Sequence, residues 1–233
     1  MNPIEIAKAL KESYRRYLET SFHLKDPALL EQFRGILEDK SQPPLVREPI
    51  LEISPGYKNT ISISELISQG ILSELLNKLD SVTLGRSLYS HQERALRKAI
   101  TENRNLVVAT GTGSGKTESF LYPILNHLLR ESENGTLQTP GVRALLLYPM
   151  NALANDQIAR LREIVRLFPD ITFGRYTGET QEEYKPAVEN YREFHNREDP
   201  LPNELICRAQ MRETPPHILF TNYAMLEYLL IRP

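Results

Sequence analysis

The sequence predicts an α/β fold, a parallel sheet sandwiched by helices, preceded by a mostly helical N-terminal segment. Three observations predict it. From about residue 84, short apolar runs alternate with helical stretches, the pattern of parallel strands covered on both faces. A glycine-rich loop, TGTGSGKT at 110–117, stands between one such run and a helix. Residues 1–40 place apolar side chains at helical spacing and show no strand pattern.

In chain order, Ile6, Ala7, Leu10, Tyr14, Tyr17 and Leu18 fall on one helical face. Asp26 followed by Pro27 reads as the cap and first position of a second helix. Residues 41–60 carry prolines at 43, 44, 49 and 55, which suits an extended connector. Residues 61–83 hold two short helical pieces, ISELISQG and ILSELLNKLD. The larger domain spans 84–233. Ser90 and Glu93 have the spacing of a capping box, opening a helix that runs to about Glu102. Residues 106–109, LVVA, read as a buried strand, and a helix follows from Gly115. Next come the strand ALLLY (144–148), a helix from near Asn151, the strand TFGRY (172–176) and the strand HILF (217–220). A last helix, AMLEYLL, follows. The stretch 179–216 includes one more helical run, EEYKPAVENYREFH.

Composition narrows the function classes. The formal net charge is -2, so phosphate contacts would have to be local rather than global. The single cysteine, Cys207, has no partner for a disulfide, and a reducing cytoplasm fits. No apolar run reaches the length of a membrane span, and the N-terminus lacks the apolar core of a signal peptide. His23, His91, His127, His195 and His217 are too scattered for a metal-ligand set.

The chemistry concentrates at 110–117. Gly111, Gly113 and Gly115 let backbone amides turn inward as a cup for phosphate oxygens. The helix that follows points its first amides at the same place. Lys116 can reach the outer phosphates of a nucleotide, and the Thr117 hydroxyl can take a position on Mg²⁺. Thr110 stands where the strict pattern has glycine or alanine. The plain alternative is a connecting turn, but a turn has no need of Gly-Lys-Thr at its helix.

The neighbouring motifs resemble those of superfamily 2 helicases of the DEAD/DEAH type, across residues 88–230. ATGTGSGKTESFLYPIL is similar to motif I of that family, including Pro123 inside the helix. LYSHQ resembles the Q motif, which makes Gln92 the candidate reader of adenine, with Tyr89 beside the base. An amide can donate to adenine N7 and accept from N6. LLLYPMNALANDQ resembles motif Ia, Tyr176-Thr177-Gly178 motif Ib, and Thr221-Asn222 motif Ic.

The resemblance implies a RecA-like P-loop domain over 84–233, with ATP and Mg²⁺ as cofactors. The implied nucleotide set is Gln92, Thr110, Gly111, Thr112, Gly113, Ser114, Gly115, Lys116, Thr117 and Glu118. Lys116 and Thr117 are the catalytic pair, and Thr117 is the metal ligand. The implied nucleic-acid set is Pro149, Asn151, Thr177, Gly178, Thr221 and Asn222. Asn151 stands where many relatives carry Arg or Lys. The arginine of the TPGR motif common in DEAD-box RNA helicases is absent after Thr221, which favours DNA over RNA and the RecQ-like or Lhr-like branches.

The family's DExH or DExD box and second RecA-like domain are not found before Pro233. This chain alone is therefore expected to hold ATP weakly and not to hydrolyse it. The carboxylate pairs Glu182-Glu183 and Glu198-Asp199 lie in polar sequence and are expected to be solvated. A translocase that never separates strands, and a naturally short nucleotide-binding or scaffold protein, are the competing readings. Residues 1–80 are expected to be an accessory segment that packs on the motor or docks a protein partner.

Overall fold

The computed structural model describes residues 2–38, 56–149 and 151–231, with the side chains of 151–154 outside that description. The chain divides into two compact units, Met1–Gly56 and Tyr57–Pro233. The first holds α1 (Pro3–Ser21) and α2 (Pro27–Glu38). Each has the side-chain cap its sequence calls for. The Asn2 side chain accepts from the Ile4 amide, and Asp26 accepts from the Ala28 amide at 2.8 Å. Arg34 reaches Glu19 through two bonds of 2.8 and 2.9 Å. Neither helix buries a residue, and the α1 stripe stays exposed at Leu10 and Tyr17. Most of the expected connector, residues 41–55, lies outside the described residues.

The second unit begins with an element that the sequence reading missed. β1 (Asn59–Ser62) pairs antiparallel with β2 (Ser87–Tyr89), closing the helical pieces between them into one module. Those pieces are α3 (Ile63–Ser68), a 3₁₀ turn (Glu74–Lys78) and α4 (Ser81–Gly85). α5 (Ser90–Ile100) follows directly. Leu66, Leu72, Leu76, Leu88 and Leu96 share a core with Leu125, Leu128 and Leu129 of α6 (Glu118–Glu133). Residues 57–100 are thus packed onto the helix after the glycine loop.

The main sheet is built from β3 (Ala144–Tyr148), β4 (Phe173–Arg175), β5 (Glu204–Leu205) and β6 (Ile218–Asn222). Their order is β3–β6–β4–β5, every pair parallel, with Leu146 opposite Phe220 and Phe173 opposite Ile218. Parallel strands need crossovers, and helices supply three of them. α7 (Asn151–Val165) joins β3 to β4, α8 (Tyr184–Phe194) joins β4 to β5, and α9 (Arg208–Glu213) joins β5 to β6. α10 (Tyr223–Ile231) follows β6. Ile158, Leu161 and Val165 of α7 are buried against this sheet, as their spacing requires. Buried His217 fixes the start of β6. Its Nδ1 accepts from the Thr172 amide at 3.0 Å, its Nε2 lies 2.9 Å from the Leu137 carbonyl, and burial lowers its pKa.

The expected strand at 106–109 is not one. The segment joins no sheet among the described residues, and Val107 is 96% exposed. An apolar run becomes a strand only where a neighbour takes its backbone donors and acceptors, and here none does. The expected capping box is also displaced by one residue. The Gln92 Oε1 accepts from the Tyr89 amide at 2.8 Å, while Glu93 pairs with Arg97.

Candidate nucleotide and nucleic-acid site

The loop at 110–117 depends on glycine at two positions. Gly113 and Gly115 have φ of 72° and 69°, in the left-handed region. At Gly115 a methyl group would also meet the Gln92 amide nitrogen, and it would lie 2.9 Å from Glu118 Oε2. A methyl at Gly111 would lie 2.8 Å from the Tyr57 hydroxyl. Thr110 and Ser114 join their hydroxyls across the loop at 2.6 Å. The Lys116 ammonium folds over the loop mouth, donating to the carbonyls of Thr110 (2.9 Å) and Gly111 (2.6 Å). Thr112 and Gly113 are exposed at the tip. Thr117 stands at the N-cap of α6 without a side-chain capping bond, so its hydroxyl is not committed to the helix end.

Helix α5 grips the loop from the side. The Gln92 Nε2 donates to the Gly115 carbonyl at 2.8 Å, and the His91 Nε2 lies 2.9 Å from the Ser114 carbonyl. Gln92 is 3% exposed, so it is not a solvent-facing side chain. Each end of its amide makes one bond, which leaves one N–H and one lone pair for a base. Tyr57, Tyr89 and His91 cluster beside it, with ring centroids 5.2 to 5.8 Å apart. Tyr89 and His91 belong to the LYSHQ segment, whereas Tyr57 arrives through the β1–β2 pairing, which its local sequence does not announce.

Glu118 is buried at the start of α6. Its Oε1 accepts from Arg160 of α7 at 2.8 Å, and its Oε2 has no partner. This pair ties the helix after the loop to the helix that opens at Asn151. The residues fit a bound Mg-nucleotide on structural grounds: a glycine cradle that a side chain would fill, an ammonium held only by loop carbonyls, and an orphaned buried carboxylate oxygen beside them. Among the described residues no group of three or more His, Cys, Asp or Glu could hold a metal ion.

The expected nucleic-acid residues come to one edge. β3, β6 and β4 are adjacent and parallel, so the segments after them share the C-terminal rim of the sheet. Pro149 is exposed there, just before α7 opens at Asn151. Gly178 is exposed after β4. Two hydroxyls turn inward instead. Thr221 is fully buried and donates to the Tyr176 carbonyl at 2.7 Å, and Thr177 is fully buried with its hydroxyl unpartnered. Asn222 caps α10, accepting from the Met225 amide at 2.7 Å. Thr221 therefore braces the rim from inside, while Thr177 is buried away from solvent. The carboxylates at 182 and 199 pair with Arg212 and Arg192 on the surface.

Residues 89–195, which hold both the Gln92 segment and the glycine loop, match the DEAD/DEAH box helicase family. The chain is 31% identical to the Druantia protein DruE of Escherichia coli over 98% of this chain and 17% of that protein. It is 32% identical to the uncharacterized ATP-dependent helicase YprA of Bacillus subtilis over 59% of this chain and 16% of that protein. It is 31% identical to the ATP-dependent helicase Lhr-Core of Methanothermobacter thermautotrophicus over 62% and 15%. The chain thus spans about a sixth of the length of these relatives. A solved structure, the DEAD-box helicase Mss116 bound to ssRNA and UDP-BeF, superposes with a TM-score of 0.54 at 19% identity, over 76% of this chain and 31% of that one. That likeness extends to the fold of a RecA-like helicase lobe. Glycine cradle, gripping glutamine, sheet order and relatives agree that residues 89–195 form a DEAD/DEAH box helicase domain.

Proposed function

We propose that this chain carries the first motor lobe of an ATP-dependent helicase or translocase that travels along DNA. One observation carries the reading. A lysine held only by two loop carbonyls sits over a glycine cradle that helix α5 fixes at Ser114 and Gly115. A triphosphate offers that ammonium a full negative charge in exchange for two neutral carbonyls. The residues that would hold ATP are those of the loop with Gln92; Thr117 would hold Mg²⁺, which supplies charge neutralisation at the phosphates.

The amides opening α7 and the exposed rim at Pro149 and Gly178 would hold the backbone of the strand without reading bases. The Glu118–Arg160 pair links the two ends of this device. Closing of the cradle on phosphates would pull on the helix that grips the strand. DNA is favoured because Thr221-Asn222 is not followed by the arginine of the RNA-helicase pattern. Exposed Leu10, Tyr14 and Tyr17 on α1 support a protein partner for the first unit. The test is strand displacement by the intact protein on matched DNA and RNA duplexes. Displacement of DNA with ATP supports the proposal; ATP turnover without displaced strand returns the non-unwinding translocase.

Gln92→Ala is expected to lower the preference for ATP over GTP in nucleotide titrations. The same change orphans the Gly115 carbonyl and the Tyr89 amide, costing about 1–3 kcal/mol in denaturant unfolding. Lost stability with an unchanged nucleotide preference would leave Gln92 a purely structural brace.

A further inference from the structure

The rim of the sheet lacks the cation that follows Thr221 in the RNA-helicase pattern, yet a different part of the chain brings one there. We infer that Arg208, at the start of α9, anchors a phosphodiester of the bound strand on the segment 176–178; this rests on the nucleic-acid reading above.

Arg208 is half-buried and oriented from three sides. Its Nη2 donates to the Thr177 carbonyl at 2.9 Å and lies 3.4 Å from the Gly178 carbonyl. Its guanidinium carbon stands 5.3 Å from the centre of the Tyr176 ring. Its Nε is buried without a partner, and so is the Thr177 hydroxyl beside it. Other arginines of this unit have carboxylate partners: Arg175 with Glu179 at 3.2 Å, Arg212 with Glu182, and Arg192 with Asp199 at 2.7 Å. A guanidinium has five N–H donors, and a partly desolvated one without an anion is unfavourable. Two neutral carbonyls and a ring face fix its plane, and a phosphate oxyanion would supply an opposite charge that none of the three carries.

Gly178 points the same way. It has no positive φ, and a methyl placed on it would meet nothing within 4 Å. The backbone is therefore bare at this exposed turn, and a ligand can approach it closely. The ligand is a nucleic-acid backbone because the same rim carries the exposed turn at Pro149 and the amides that open α7, a row of sites for successive phosphates.

The experiment is a fluorescence-anisotropy titration of the 233-residue chain with a labelled oligo-dT, repeated across a series of NaCl concentrations. Arg208→Gln is expected to weaken binding roughly fivefold at low salt and to reduce the slope of log K against log salt by about 0.7, the value of one single-strand phosphate contact. Arg166→Gln, at the far end of α7 and paired with Glu163, is expected to keep the parent slope. Gly178→Ala leaves every Arg208 bond in place, so it should weaken binding with an unchanged melting temperature. It carries the test alone if Arg208→Gln does not fold. A parent chain that binds while Arg208→Gln, or in that case Gly178→Ala, binds equally well with the same slope overturns this inference alone. A parent chain that fails to bind oligo-dT at low salt overturns the nucleic-acid reading of the rim, and this inference with it.

Discussion

Lys116→Ala in the intact protein is expected to cut nucleic-acid-stimulated ATP turnover by about 10²–10³-fold, the usual cost of removing one preorganised donor from a developing negative charge. DNA affinity should change little, because the rim residues draw nothing from this side chain. In the chain described here the ammonium bonds only the carbonyls of Thr110 and Gly111, at the exposed mouth of the loop. Its loss therefore leaves no buried group stranded, and the melting temperature should hold. That combination separates a chemical role from a structural one. A variant that folds, binds DNA and hydrolyses ATP at the parent rate would overturn the assignment of the loop. The effect should also fall on turnover more than on the KM for ATP, since the charge on the phosphates grows as the bond to the leaving group breaks.

The parts of this site that were legible in the sequence are those whose chemistry is local. The glycines at 113 and 115 announce a backbone conformation, and that conformation is found. The run ALLLY forms β3 at the expected residues, although Leu145 and Leu147 stand exposed on one face of it. Pro123 sits inside α6 as its place in the motif implies. What escaped was set by partners distant in sequence. LVVA at 106–109 has a strand's composition but no ladder among the described residues, and composition does not state who the neighbour is. β1 and β2 are four and three residues long, too short to show a period, and they are held together by bonds such as Thr60 Oγ1 to the Leu88 carbonyl. The inward turn of Thr221 follows from the segment alongside, whose Tyr176 carbonyl takes its hydroxyl, not from the TN dipeptide. Arg208 was invisible for the same reason, since 30 residues of chain separate it from the turn it touches.

Arg162→Met is expected to destabilise the second unit by about 3–5 kcal/mol, the cost of leaving one member of a buried ion pair without its partner. Arg162 of α7 holds Glu204 of β5 through bonds of 2.9 and 2.6 Å, with side-chain exposures of 17% and 7%. Tyr191 of α8 closes the arrangement, donating to Glu204 at 3.2 Å while its ring lies 5.4 Å from the guanidinium. A carboxylate this enclosed keeps only the Tyr191 hydroxyl once the arginine is gone. The double variant Arg162→Met with Glu204→Leu should recover most of the loss, because it removes both desolvated charges and leaves apolar surface in their place. Denaturant unfolding of the parent, both single variants and the double variant measures the coupling directly. Additive losses would mean that the pair does not act as a unit. The consequence reaches the rim. β5 is the outermost strand and α9 follows it three residues later, so the clamp at Glu204 also sets where Arg208 stands. If the fork on the strand backbone depends on that clamp, Arg162→Met should lower oligonucleotide affinity under conditions where the chain is still folded, and the double variant should restore it.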